Sequence, residues 1–256
     1  MKGLVIKDMM CLRKQRVIFC YVVFCTVVLS VMFVLSAKFG NIAQAGQKMM
    51  AENGIGEMDV KNLSTNVLIL FMFLPIAMVG DVAAILTADG KAGFTSVASI
   101  LPVSVEKRVL AKYITVAFMF GIGVAIDLVL SFVLSLLTDL ISFREFFGII
   151  IGVASIMLMY GTLTIIFHCL YGYGKESYSQ ITAILFIGMG TVLVKRKDAK
   201  EILLQITMQT QSNHYINRFM DFMKYKSYIL FIVSLVVALL SYMVSVRIAK
   251  KKRGIF

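Results

Sequence analysis

Three side chains that could do chemistry sit inside long apolar runs of this 256-residue chain: Asp81, Asp127 and His168. A charge in a hydrocarbon layer is costly and turns toward a cavity or a partner. Such groups are therefore candidates for a counter-ion, a proton relay or a polar contact with a transported molecule. Asp81 stands about a turn and a half from the end of its run. His168 lies at similar depth in another run, and the two are expected to be neighbours. Asp127, near the middle of its run, is expected to face a dimer cavity or a polar side chain. The alternatives for it are a hydrogen-bonded packing role and a proton-coupled one.

Other chemistry is missing from the sequence. His168 and His214 fall on different segments with no metal-ligand spacing. The four cysteines, Cys11, Cys20, Cys25 and Cys169, show no C-x-x-C pattern and read as reduced structural thiols. No G-x-x-x-x-G-K-[ST] phosphate loop occurs, so ATP hydrolysis by that route is excluded, and no hydrolase signature stands out. The chain is expected to carry no cofactor and no metal, and not to be an enzyme.

The elements that must position these residues are read from composition. The chain is 59% hydrophobic with a mean hydropathy of +0.88, which places it among polytopic membrane proteins. Apolar runs read as spans lie at about 17–37, 63–86, 109–137, 146–171, 178–194 and 227–246, the fifth of them either crossing or re-entrant. The fifth is short and holds Gly188 and Gly190. Pro75 should kink the second. Thr138 to Glu145 reads as a tight turn. The fourth run opens with Gly148 and Gly152, a G-x-x-x-G spacing that lets another helix approach closely, in the same subunit or in a second one. Before the first run, Leu4, Val5, Met9 and Leu12 oppose Lys2, Lys7, Asp8, Arg13 and Lys14, as in an amphipathic helix lying in the membrane plane. Between the fifth and sixth runs, apolar patches surround Ile202, Leu203 and Ile206, and then Ile216, Phe219, Met220 and Met223.

Net charge is +12. With both termini inside, inner segments hold 15 of the 26 Lys and Arg, so the charge is read as fixing topology and not as binding nucleic acid. The basic segment after the fifth run is the exception to this rule.

One loop has a pattern of its own. Between the second and third runs, Asp89-Gly90 reads as a cap or turn and is followed by Lys91. Phe94, Val97, Ala98 and Leu101 then recur at i, i+3, i+4 and i+7 on a short helix that Pro102 ends. Ser104 is a candidate cap for the next helix, and Glu106 in its first turn suits the helix dipole. Lys107 and Arg108 follow, and the entry closes with Lys112-Tyr113. A two-turn amphipathic helix is too short to be stable alone and must dock on something.

Leu101, Pro102, Ser104, Glu106, Lys107, Arg108, Leu110, Lys112 and Tyr113 make this loop resemble that of the permease subunits of bacterial ABC-2 type exporters. The family often carries Asp-Glu where this chain has Ala88-Asp89-Gly90. The resemblance implies an all-α polytopic membrane protein with six transmembrane helices, an N-terminal in-plane helix and a cytoplasmic coupling helix. It also implies a re-entrant segment between spans 5 and 6. The coupling residues would be Asp89, Lys91, Phe94, Val97, Leu101, Pro102, Ser104, Glu106, Lys107 and Arg108, docked on a separate ABC ATPase that holds ATP and Mg. The permease would pair with a second copy of itself or a sister permease in a bacterial cell membrane, with cytoplasmic termini. Its length resembles Gram-positive exporters of phenol-soluble modulins and antimicrobial peptides. Export of lipid, drug or ion stays open, as does an ATPase-independent channel or accessory subunit.

Overall fold

A computed structural model describes residues 2–39, 68–77, 85–87, 103–137, 142–172, 174–194 and 212–251. Among these, every regular element is a helix. They are α1 (Lys2–Cys11), α2 (Arg13–Phe39), α3 (Leu68–Ala77), a helical turn at 85–87, α4 (Val105–Leu137), α5 (Phe143–Tyr171), α6 (Glu176–Val194) and α7 (Ser212–Lys251). Val105–Leu137, Phe143–Tyr171 and Lys226–Lys251 are each long and apolar enough to cross a membrane. The protein is a multi-pass membrane protein.

Two apolar clusters mark the two ends of the bundle. One joins Leu12, Ile85, Leu86, Val109, Val116, Ile165, Cys169 and Ala249. The other joins Val34, Leu68, Ile69, Met72, Leu134, Phe146, Ile149 and Met223. The chain therefore alternates between ends. It leaves the first cluster along α2, stands at the second at Leu68 to Met72 and is back at the first at Ile85 and Leu86, then goes out along α4 and comes back along α5. α7 makes the same return, so α5 and α7 run parallel. We call the first cluster the inner end, the side on which sequence analysis places the termini.

α5 is the central helix, with 56% of its most apolar stretch buried against 22% for α4 and 17% for the crossing part of α7. Its packing against α7 relies on small residues. Gly148, Gly152, Ser155 and Thr162 are buried on α5, and Ser227, Ser234, Ser241 and Ser245 are buried on α7. Small side chains let two backbones approach, which is what drives association where lipid removes the hydrophobic incentive.

Several boundaries differ from the expected ones, each for a local reason. Glu145 is helical and not part of the turn, because the backbone N–H of Ser142 donates to its carboxylate at 3.4 Å. That is one half of a capping box, and it starts α5 before the apolar run does. Gly172, at φ 85°, ends α5 with its N–H donated to the His168 carbonyl at 2.8 Å. A left-handed conformation there favours glycine.

The patch at Ile216 to Met223 belongs to α7, a single helix of 40 residues that continues into the sixth run. It is therefore not a separate short helix, as a re-entrant reading would have it. The patch around Ile202 lies outside the described residues. In α1, Asp8 was expected on the basic face, yet it is 2% exposed. Its carboxylate turns inward to a lysine on α4.

Candidate functional site at the inner end of α4

Of the loop residues singled out above, Asp89, Lys91, Phe94, Val97, Leu101 and Pro102 lie outside the described residues, as does Asp81. Ser104, Glu106, Lys107 and Arg108 are described, and they open α4. The Ser104 carbonyl accepts the Arg108 N–H at 3.2 Å, the first turn of the helix. Glu106, one residue inside it, pairs with Lys250 near the end of α7 at 2.5 Å. The hydrogen bond from Lys250, and then its positive charge, holds the Glu106 carboxyl below its ordinary range. Both side chains are more than half exposed, so solvent screens this pair and it contributes little to stability.

One and a half turns further on, the environment changes from wet to dry. Lys112 is 6% exposed, and its ammonium lies 4.0 Å from the Asp8 carboxylate, which Lys7 also approaches at 2.9 Å. A buried lysine is tolerated where a carboxylate faces it, and Asp8 supplies one. This pair ties α1 to α4.

The next residue, Tyr113, ties α4 to two further helices. Its hydroxyl lies 2.5 Å from Ser241 Oγ and 3.0 Å from Ser245 Oγ, both on α7. Ser241 Oγ donates to the Thr162 carbonyl of α5 at 2.7 Å. The Tyr113 ring meets Tyr242 edge-on, with centroids 5.6 Å apart. Within eight residues the start of α4 is thus fastened by polar groups to α1 and α7, and through Ser241 of α7 it is linked onward to α5. Sequence analysis gave Tyr113 no role and missed the serines. Serine recurs at 227, 234 and 241 along one helix face, but Ser234 bonds its own backbone, so the recurrence marks a polar face and not which serines reach another helix.

Of the intramembrane groups, Asp127 and His168 are described and they lie apart; the expected His168–Asp81 neighbourhood lies outside the described residues. Asp127 lies fifteen residues beyond Lys112 along α4, about 22 Å by helical rise. It is fully buried within the subunit, on the face that carries Gly123, Ser131 and Leu134. Neither carboxylate oxygen has a hydrogen-bond partner among the described residues. His168, also fully buried, lies between Ile165 and Cys169 of the inner cluster, at the far end from Asp127.

A polar group without partners costs free energy on burial, whereas an apolar group of similar shape does not. Asp127→Leu should therefore leave the stability of the purified protein, read by thermal unfolding, unchanged or raise it by up to about 2 kcal/mol. A loss above about 1 kcal/mol would show that a partner outside the described residues holds this carboxylate.

Gly152 settles which helix its spacing serves within the subunit. A methyl group placed on it would come within 2.7 Å of Met223 Sδ and 2.8 Å of Met223 Cε, with Ser227 Cβ at 3.5 Å. The α5 backbone at Gly152 thus lies against α7 of the same chain.

Comparison with known proteins gives one match. A family model described as an ABC-2 family transporter protein covers residues 58–251, which takes in every helix from α3 to α7. No curated protein and no solved structure matches the chain.

Proposed function

The chain belongs to the ABC-2 family of transporter proteins, and from that membership we propose an export permease driven through the start of α4. The coarse function follows from the family. The chain is a permease subunit of an ABC transporter and works with an ABC ATPase that supplies the energy.

In our reading, two copies of the permease, or one with a sister permease, enclose a path along their shared axis. Both termini lie in the cytoplasm of a bacterial cell. ATPase subunits bind ATP and Mg, and close. The 91–101 helix, carrying Phe94, Val97 and Leu101, rides on their movement and opens the path outward. Hydrolysis resets it. A conformational change of this kind requires that the loop contact the two ATPase states differently.

The observation that supports this reading most is the fastening of α4 described above. A lever is useful only if its base is fixed to what must move, and residues 106–113 are joined to α1 and α7 within about two turns, with Ser241 of α7 carrying the link on to α5. For the cargo, amphipathic peptides of modulin or antimicrobial type fit the resemblance. A chain with 17 Met and 19 Phe can line an adaptable apolar path for them.

The test is capture of an ABC ATPase encoded beside this chain, in detergent, by wild type and by the Phe94→Asp/Leu101→Asp variant. Wild type should retain the ATPase. The variant should bind at least tenfold more weakly, since each buried apolar anchor is worth about 1–3 kcal/mol. Equal capture by both would remove the coupling assignment. ATP-dependent uptake of a labelled amphipathic helical peptide into inside-out vesicles then tests the cargo.

A further inference from the structure

The three hydroxyls at Tyr113, Ser241 and Ser245 form a chain whose direction follows from counting protons. Each hydroxyl owns one hydrogen. Ser241 gives its hydrogen to the Thr162 carbonyl, so it can only accept from Tyr113. Tyr113 has then spent its own hydrogen and accepts from Ser245. The order is Ser245 to Tyr113 to Ser241 to the α5 backbone. Bonds aligned in this way polarise and strengthen one another, and they do so most where water is excluded. Ser241 and Ser245 are 1% and 0% exposed, and Tyr113 packs on the apolar inner cluster.

This knot falls on a regular register. α4 and α7 run antiparallel, and Glu106 meets Lys250 two turns closer to the inner end. Tyr113 meets Ser241, Tyr242 and Ser245 at the next level. α4 and α7 are thus pinned at two heights, which fixes both their separation and their rotation about each other. A single pin would leave that rotation free. The upper pin alone reaches α5.

We propose that Tyr113 is a positioning residue that makes α4, α5 and α7 move as one rigid body when the partner ATPase changes state. The inference deepens the reading under Proposed function and rests on it. In wild type, force entering at the start of α4 is delivered to the central helix through the Tyr113–Ser241–Thr162 chain. Without the tyrosine hydroxyl, α4 and α7 keep the exposed Glu106–Lys250 pair and the aromatic contact with Tyr242, and Ser241 still bonds α5, but the hydrogen-bonded path from α4 to Ser241 is cut.

The experiment measures distances between label pairs carried by noncanonical amino acids, so that the native cysteines stay in place. One label goes at Phe118 on α4 and the other at Leu170 on α5, both exposed. The full permease is held with its ATPase in lipid nanodiscs, nucleotide-free or trapped with ADP and vanadate. In wild type the distance should be the same in both states. In Tyr113→Phe the ATPase should still be captured, and the distance should differ between states or broaden markedly in the trapped one. Transport per ATP hydrolysed should fall by roughly three- to tenfold, the effect of removing two hydrogen bonds from a coupling path.

Ser241→Ala breaks the same link without touching α4 and should behave like Tyr113→Phe. Ser245→Ala leaves the link to α5 intact and should behave like wild type. A state-independent distance in both Tyr113→Phe and Ser241→Ala would overturn the proposal, as would a wild-type distance that already changes with nucleotide. A lower melting temperature with unchanged distances would assign the knot to stability alone and overturn it too. Failure of wild type to capture the ATPase would remove the underlying reading instead, and it is scored separately before any distance is taken.

Discussion

Gly152→Leu is expected to force α5 and α7 apart and to lower the stability of the purified protein by about 3 kcal/mol, whereas Gly152→Ala should cost less than about 1 kcal/mol. The difference lies in what each side chain meets. An alanine methyl group at this position runs into Sδ and Cε of Met223, the far end of a flexible thioether that can swing aside. A leucine needs the volume that the whole Met223 side chain occupies. Met223 is 1% exposed and packs in the cluster with Leu68, Met72, Leu134, Phe146 and Ile149, so its terminal atoms can shift by a few tenths of an ångström but the whole side chain has no space to move into. Either α7 moves outward or that cluster opens.

Compensation should be visible. Met223→Ala in the Gly152→Leu background removes the obstructing atoms and should recover most of the loss, as measured by thermal unfolding in detergent. An alternative is that Gly148 and Gly152 form a face between subunits. On that view Gly152→Leu would dissociate a dimer while leaving the monomer as stable as before, and Met223→Ala would not rescue it. That outcome would sink the assignment to α5 and α7.

How much of this was legible in the sequence depends on the range of the signal. α4 and α5 were visible as apolar runs because burial in lipid requires an unbroken stretch of suitable length, and that is a local property. Hydropathy marks the part of a helix that lipid favours and not where the helix begins. α7 therefore starts at Ser212, fifteen residues before the expected sixth run, and Glu145 falls in α5, where a cap and not an apolar residue sets the start. The helix ends near Ser104 to Arg108 could be read from a cap and a first-turn acid.

The fastenings of α4 could not be read in this way. Tyr113 and Ser241 are 128 residues apart, and hydroxyls are common in apolar helices, where most of them bond their own backbone. Thr115, Ser131, Ser155 and Ser234 do so here. Nothing local separates those from the serines that reach another helix. Lys112 was read as one of the charges that fix topology, although it faces inward. Periodicity states that a residue is polar, and only the packed neighbours state which polar residues turn in.

Lys112 carries the second large effect, and it separates the two partners of Asp8. Asp8→Leu should destabilise the protein by about 2 kcal/mol, because it removes the carboxylate that the ammonium groups of Lys7 and Lys112 both approach. Lys112→Met should cost about 1 kcal/mol or less, since Asp8 keeps Lys7 at 2.9 Å and methionine fills the same channel. At 4.0 Å and an effective dielectric near 20, the gross attraction between Asp8 and Lys112 is about 4 kcal/mol. Most of this offsets the cost of burying the two charges, so the intact pair adds little net stability, and its two halves differ in how much their loss costs. The double variant Asp8→Leu/Lys112→Met should accordingly be more stable than Asp8→Leu alone by about 2 kcal/mol. Limited proteolysis would read the same ranking locally. α1 is held to α4 partly through this pair, so cleavage near Lys14 should be faster in Asp8→Leu and return toward the wild-type rate in the double variant. Equal rates in Asp8→Leu and wild type would mean that apolar contacts such as Leu12 in the inner cluster hold α1 in place, and that the ion pair only follows their lead.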